Sequence, residues 1–200
     1  MNLGTLAIWA HIDGPISFFE NEKSAEMGPA TAERLARFAR RVEELGYDAI
    51  WMPGAFGRDP LILSSWLLAN TSKLKIATGI VSIYTRDPIA MRAGADALNE
   101  QSGGRFILGL GVSHRETVED RRGHEYGKPI PTMRAYLDAI AQAPYMAAAP
   151  AAPTPIVLAG LREKMIGLAG ERTQGVHSYL VTPGHTAQAR AILGPDKLLC

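Results

Sequence analysis

The alternation of short apolar runs with segments of helical periodicity constrains the fold of this chain most strongly. We predict strands near residues 3–10, 47–52, 74–81, 105–110, 155–159 and 176–181, with helical segments between them. This pattern is typical of repeated β–α units, in which successive strands pair in parallel and the helices pack on the sheet. The chain is therefore expected to be an α/β protein with a parallel sheet.

A repeated triplet supports this placement of the helices. Residues 58–60 and 86–88 both read Arg-Asp-Pro, and each triplet comes after a predicted strand and before a helical pattern. An Asp at the N-cap accepts hydrogen bonds from free backbone N–H groups, and Pro is favoured at the first helical position. Two helices are thus predicted to begin at Pro60 and Pro88.

The segment RFILGLGVSH, residues 105–114, combines a buried-strand pattern with a glycine-rich end. Its apolar run is typical of a strand covered on both faces, and Gly109 and Gly111 would let the backbone approach a ligand because no Cβ intervenes. A Rossmann phosphate turn is a competing interpretation, but His114 stands where the third glycine is required. The segment indicates a ligand site at the end of a strand.

The composition excludes several classes of protein. The 200 residues are 46% hydrophobic and 20% charged, which is typical of a single globular domain, and 21 Lys and Arg against 20 Asp and Glu give no basic field for nucleic acid. With Cys200 as the single cysteine and no H-E-x-x-H pattern, neither a disulfide framework nor a metal site is expected. This cysteine usage predicts a cytoplasmic protein, and no apolar stretch is long enough to span a membrane.

Two long connections, residues 11–29 and 112–129, follow predicted strand ends. Loops on that side of parallel β–α folds carry function, so we expect these two to form the substrate entrance. Residues 197–200 resemble the beginning of a seventh strand. Six complete units are too few to close an eight-unit barrel, so the sequence suggests either an open sheet or a fragment of a barrel.

Five blocks of sequence carry a family resemblance through their order and spacing. They read LGYDAIWMPGAFGRDP (45–60), KIATGIVSIYTRDPIAM (75–91), GGRFILGLGVSH (103–114), PIVLAG (155–160) and YLVTPGHTAQARAILGP (179–195). Together they resemble the luciferase-like monooxygenase superfamily, and within it the deazaflavin (coenzyme F420)-dependent oxidoreductases. The resemblance implies a TIM-type (β/α)8 barrel, with residues 1–200 forming one barrel domain that is incomplete at its C-terminus and holds about six of the eight units.

The same resemblance implies a cofactor site at the strand ends. A non-prolyl cis peptide behind the cofactor ring would correspond to Gly79-Ile80. Other positions would border the ring or reach the ribityl phosphate, where helix N-termini with small residues suit an anion. These positions are Gly109, Gly111, Ser113, Ala159, Gly160, Thr182, Gly184 and His185.

Two histidines are the candidate catalytic residues. His114 occupies the position of a catalytic carboxylate in related sugar-phosphate dehydrogenases, and histidine has a suitable pKa for proton transfer. His11, near Asp13, follows the first predicted strand. By contrast, His124 is expected to shape a substrate lid, and His177 is expected to be structural.

The second strand end departs from the family pattern. Related deazaflavin enzymes have Pro-Glu-Ala there, whereas this chain has Gly54 in place of the Glu, which removes an acidic residue aimed at the ring. Trp51 and Phe56 are expected to form pocket walls nearby.

The resemblance implies an oxidoreductase that transfers hydride between coenzyme F420 and a small organic substrate. Two alternatives stay open: an FMN-dependent monooxygenase that uses molecular oxygen, and a non-catalytic flavin-binding relative or inactive fragment. A homodimer is possible in this family, and the sequence does not identify the substrate.

Overall fold

A computed structural model describes residues 6–10, 30–54 and 56–200. His11 and Asp13 lie outside the described residues. The strands are β1 (Ala7–Trp9), β2 (Ala49–Met52), β3 (Lys75–Thr78), β4 (Val81–Ser82), β5 (Phe106–Gly111), β6 (Ile156–Ala159), β7 (Gly175–His177) and β8 (Leu198–Leu199). The helices are α1 (Ala32–Glu44), α2 (Pro60–Ala69), α3 (Pro88–Ser102), α4 (Arg115–Glu119), α5 (Pro129–Gln142), α6 (Glu163–Arg172) and α7 (Pro183–Leu193).

The strands form one parallel sheet, as the alternating pattern predicts. Their order is β1-β2-β3-β5-β6-β7-β8, and β4 pairs with β5 just beyond the end of β3. The predicted strand 74–81 is therefore two short strands, and the predicted strand 155–159 agrees with β6. The expected seventh strand is β8, whose Leu198 and Leu199 align with Gly175 and Val176 of β7.

The sixth predicted strand ends earlier than expected. It was predicted over residues 176–181, but the ladder of β7 stops at His177. The Ser178 N–H still donates to the Cys200 carbonyl at 2.9 Å and its hydroxyl donates to the Gly160 carbonyl at 3.1 Å, but Leu180 takes a left-handed backbone conformation with φ of 50°. A residue with positive φ cannot continue a strand, so the chain leaves the sheet there.

Ring contacts across the sheet show that it is curled as in a β/α barrel. Trp51 on β2 and His177 on β7 have ring centroids 4.8 Å apart. In a flat sheet, four strand spacings would separate these strands by about 19 Å. Alternating side chains pack inside the curl, and the others face the helices. The inner group comprises Ala49, Trp51, Ala77, Ile107 and Val157, with Trp9, Leu198 and Cys200 packed against it.

The two Arg-Asp-Pro triplets begin helices as predicted. The Asp59 carboxylate accepts from the N–H groups of Leu61 and Ile62, and Asp87 caps α3 in the same way. Arg86 of the second triplet also donates to Asp59 at 2.7 Å. Burial would raise the pKa of Asp59, but these hydrogen bonds and the Arg86 charge outweigh it and lower the pKa. The triplets thus cap two helices and join them.

No helix in the described ranges combines the length and apolar character needed to cross a bilayer.

Candidate functional site

A cavity of about 1190 Å³ opens at the carboxyl ends of the strands. Residues that end a strand or directly follow one form most of its surface, and the first turn of α6 forms one side. The lining residues are Trp9, Pro53, Gly54, Gly79, Ile80, Gly111, Val112, Ser113, His114, Pro129, Ile130, Ala159, Gly160, residues 161–166, His177, Tyr179, His185 and Gln188. Most of this surface is apolar, and its polar groups are concentrated at the histidines and at α6.

The peptide bond between Gly79 and Ile80 is cis, as the resemblance implied, and both residues line the cavity. The indole Nε1 of Trp9 donates a 2.9 Å hydrogen bond to the Gly79 carbonyl. A Cβ on Gly79 would come within 3.1 Å of both Trp9 and Trp51. A larger residue at position 79 would therefore require the two tryptophans that pack against its backbone to shift by a few tenths of an ångström.

The two glycines at the end of β5 have different roles. Gly111 lines the cavity and packs against Ile80 and Ala159. Gly109 is not among the cavity-lining residues in the described part of the chain, so its place beside a ligand stays a prediction. A Cβ on Gly109 would overlap the Thr78 carbonyl oxygen. The close approach of these two backbones by itself requires glycine at this position.

Ser113 and His114 lie together at the cavity, as predicted. Ser113 has a left-handed backbone with φ of 58°, and its carbonyl accepts from the Tyr126 hydroxyl at 3.3 Å. His114 is exposed and precedes α4, and its side chain makes no capping hydrogen bond. Its imidazole is thus available to a ligand. The other catalytic candidate, His11, lies outside the described residues.

Ala159, Gly160 and His185 also line the cavity, whereas Thr182 and Gly184 do not among the described residues. The Thr182 hydroxyl caps α7 by accepting from the His185 N–H, so capping explains this residue. The His185 Nε2 lies 2.7 Å from the Leu161 carbonyl, which fixes Nε2 as the donor. Its Nδ1 is buried and has no hydrogen-bond partner within the described ranges.

The first turn of α6 gives the cavity a polar side. Arg162 is the N-cap, and no side chain satisfies the first N–H groups of the helix. Arg162 and Lys164 are exposed cations at the cavity, and the Glu163 carboxylate accepts from Gln188 at 2.6 Å. Free N–H groups and the helix dipole favour an anion here. Among the described residues, no group of three or more His, Cys, Asp or Glu side chains could hold a metal ion.

Neither expected aromatic wall lines the cavity in the described part of the chain. Trp51 is buried inside the curl of the sheet. Phe56 is 63% exposed and lies under the Arg121 guanidinium, 4.9 Å from its carbon. His124 was expected to shape a substrate lid. It is exposed and packs near Tyr84, and it is not among the lining residues of the described cavity. Trp9 is the tryptophan that lines the described cavity.

His177 was interpreted from the sequence as structural, but the structure places it at the cavity. It is the last residue of β7 and only 8% exposed. Burial lowers the pKa of His177, and a hydrogen bond to its own backbone opposes this only in part. The predicted strand 176–181 put His177 near the start of its strand. A predicted strand ending at residue 177 would have placed His177 at the carboxyl edge of the sheet, where the cavity lies.

A curated relative is similar in sequence, and solved structures share this fold. A putative coenzyme F420-dependent oxidoreductase of Mycobacterium tuberculosis is 30% identical over 162 residues, covering 81% of this chain and 45% of the relative. The coenzyme F420-dependent tetrahydromethanopterin reductase of Methanopyrus kandleri superposes with a TM-score of 0.72 at 19% identity, covering 94% of this chain and 59% of that one. The oxygenating constituent of 3,6-diketocamphane monooxygenase of Pseudomonas putida, solved with FMN, has a TM-score of 0.70 at 14% identity and covers 81% and 56%.

The family match extends over most of the sequence. This chain spans about half the length of the curated relatives that it matches. Residues 15–193 match the family described as luciferase-like monooxygenase. The matched range includes every strand from β2 to β7 and most of the cavity. The chain belongs to the luciferase-like monooxygenase family.

Proposed function

We propose that this protein is an oxidoreductase that binds coenzyme F420 in the cavity and transfers hydride between it and a small organic molecule. The observation that carries the proposal is the cavity surface at Gly79-Ile80, Gly111 and Ala159, which is apolar and nearly free of protruding side chains. A flat tricyclic ring needs such a surface. Relatives named as coenzyme F420-dependent support the choice of cofactor.

The described residues fit this cofactor at both of its ends. Ligand cavities usually measure about 300–1,000 Å³, so about 1190 Å³ leaves room for a cofactor and a small substrate. The ring would lie over Ile80 and Gly111. The phosphate would lie near Gly160 at the uncapped N-terminus of α6.

His185 supports the phosphate end of this placement. Because its Nε2 donates to Leu161, the buried Nδ1 is left without a partner among the described residues. A buried polar atom without a partner is unfavourable, and in the neutral ring this Nδ1 is an acceptor, so a ribityl hydroxyl would satisfy it by donating to it. Arg162 and Lys164 would add positive charge at the same end. Thr182 and Gly184 would contribute only through the capping of α7.

His114 would handle the proton that accompanies hydride transfer. When bound, reduced F420 supplies a hydride to an electrophilic carbon of the substrate and is itself oxidised. The substrate oxygen or nitrogen then needs a proton, and His114 can deliver it from the substrate side. Apolar residues around it, Val112 and Ile130, would limit water near the reacting atoms.

Cofactor titration tests the proposal. Trp9 lines the cavity, so a bound ring is expected to quench its fluorescence. We expect F420 to quench the emission of the purified chain with saturation and to raise its Tm, because a ligand that binds the folded state stabilises it. A Trp9→Phe variant should lose most of the quenching, whereas a Trp66→Phe variant on α2 should keep it.

FMN is the alternative cofactor, with an oxygen-dependent monooxygenation as the reaction. The likeness to a monooxygenase solved with FMN favours it, as does Gly54 in place of an acidic residue. Saturating quenching by FMN and none by F420 would overturn the deazaflavin proposal. Binding of either cofactor without turnover would favour the non-catalytic relative. Three proposals rest on the sequence alone: a cytoplasmic location, the absence of a nucleic-acid or membrane partner, and a homodimer.

Substitution of His114 tests the proton-transfer role. We expect His114→Ala to lower the rate at which reduced F420 reduces small aldehydes, ketones and imines by about 100-fold or more. Its Kd for F420 and its Tm should stay unchanged, because the side chain is exposed and makes no capping bond. His124→Ala, a second exposed histidine outside the cavity lining, is the control. Equal rates in His114→Ala and the wild type would refute this role.

A further inference from the structure

His177 enters the cavity from inside the curl of the sheet. On β7, Val176 packs among the residues that face the helices, and the alternating His177 contacts the Trp51 ring of the inner group. It pairs in register with Ala159 of β6, another lining residue. Among the ionisable residues that line the described cavity, His177 is the one that lies on a strand; the others lie on loops or helices.

The imidazole of His177 has unused hydrogen-bonding capacity. In the described part of the chain, its ring has no hydrogen-bond partner on another residue; Trp51 contacts it only through ring packing. Burial favours the neutral form, which carries one N–H donor and one acceptor nitrogen. One ring nitrogen is engaged by the backbone of His177 itself, which leaves the other without a protein partner among the described residues, and His177 lines the cavity. The cavity is therefore where the ring can find a partner.

The surroundings of His177 suit a planar polar ring. Trp9 and Tyr179 line the cavity together with His177, and their ring centroids are 4.8 Å apart. None of these three residues is acidic. Across the cavity floor, Gly79 and Ala159 present almost no side chain. An imidazole beside an apolar floor can bind a heteroatom at the edge of a ring that lies on that floor.

We propose that His177 hydrogen-bonds a carbonyl or imide N–H at the edge of the bound tricyclic ring and so positions the ring in the cavity. This inference rests on the proposed function, because it needs a deazaflavin or flavin ring there. A strand residue suits the task, since its backbone is held by the ladder to β6 and β8. His177 thus differs from His114, which is exposed and meets the substrate.

Binding of F420 and FMN to His177 variants tests the proposal. His177→Phe keeps an aromatic ring against Trp51 but removes both polar atoms. We expect it to raise the Kd of whichever cofactor the wild type binds by about three- to tenfold, the effect of one hydrogen bond. The visible absorption band of the bound cofactor should also shift. His177→Gln retains a donor and an acceptor and should restore most of the affinity.

The controls separate binding from folding. His124→Phe makes the same chemical change at an exposed site and should leave Kd and the absorption band unchanged. Thermal melting reports the fold of each variant, and His177→Leu replaces His177→Phe if the larger ring lowers the Tm. A wild-type Kd and absorption band in folded His177→Phe would refute the contact and leave the proposed function intact. Failure of the wild type to bind either cofactor would refute both.

Discussion

Gly109→Ala is expected to destabilise the protein by about 3 kcal/mol or more, the upper part of the range for overpacked buried sites. The added Cβ would overlap the carbonyl oxygen of Thr78, a backbone atom that no change of rotamer can move. The Thr78 hydroxyl also donates to the Gly109 carbonyl and accepts from its N–H, both at 2.8 Å. Strand β5 would have to separate from β3, which the remaining ladder resists.

Thermal melting measures this effect, and we expect the Tm to fall by roughly 6–12 °C for a chain of this length. Gly167→Ala is the matched control, because Gly167 lies inside α6 and a Cβ there would meet nothing within 4 Å. That variant should gain about 0.5–1 kcal/mol, since alanine is the better helix former. Equal melting of Gly109→Ala and the wild type would show that the two strands are not in close contact.

Arg105→Met is expected to have the second largest effect, a loss of about 2–4 kcal/mol. The Arg105 guanidinium donates to the carbonyls of Ser102, Leu74 and Leu68 at 3.0, 3.0 and 2.8 Å. It thereby joins the end of α3, the end of α2 and the approach to β3. Burial lowers the pKa of Arg105, and the nearby Glu43 opposes the shift. Methionine would fill the space but leave three carbonyls without donors.

Urea denaturation measures this loss, and an unchanged m value would show that the extent of unfolding is the same. Arg134→Met is the control, because Arg134 is a surface residue paired with Glu171, and exposed ion pairs contribute little. Arg105→Lys should fall between the wild type and Arg105→Met, since one ammonium cannot reach all three carbonyls in the guanidinium's geometry. A stability of Arg105→Met equal to that of Arg134→Met would contradict the bridging role.

Much of the architecture was predictable because its signals are local. Alternating apolar runs predicted a parallel sheet, and Asp59 and Asp87 identified two helix starts through capping that involves only the next few residues. The family resemblance located the cis bond at Gly79-Ile80 and the cavity positions Gly111, Ser113 and His114.

Contacts between residues distant in sequence could not be predicted. Gly109 was expected beside a ligand, yet Thr78, 31 residues earlier, fills the space next to it. Phe56 was expected at a pocket wall, but it is exposed and lies against the Arg121 guanidinium. The sequence shows where a glycine or an aromatic residue stands. It does not show which neighbouring residue packs against it.

The sequence by itself determined the parallel α/β sheet and the helix starts, because strand and helix periodicity and capping depend on neighbouring residues. The order and spacing of five sequence blocks determined the family. Only the tertiary structure decided which residues share the cavity. It placed the Thr78 carbonyl beside Gly109, showed that Thr182 acts as a helix cap, and placed His177 at the cavity. The physical reason is the curl of the sheet, which brings His177 on β7 against Trp51 on β2 although four strand spacings separate them along the ladder.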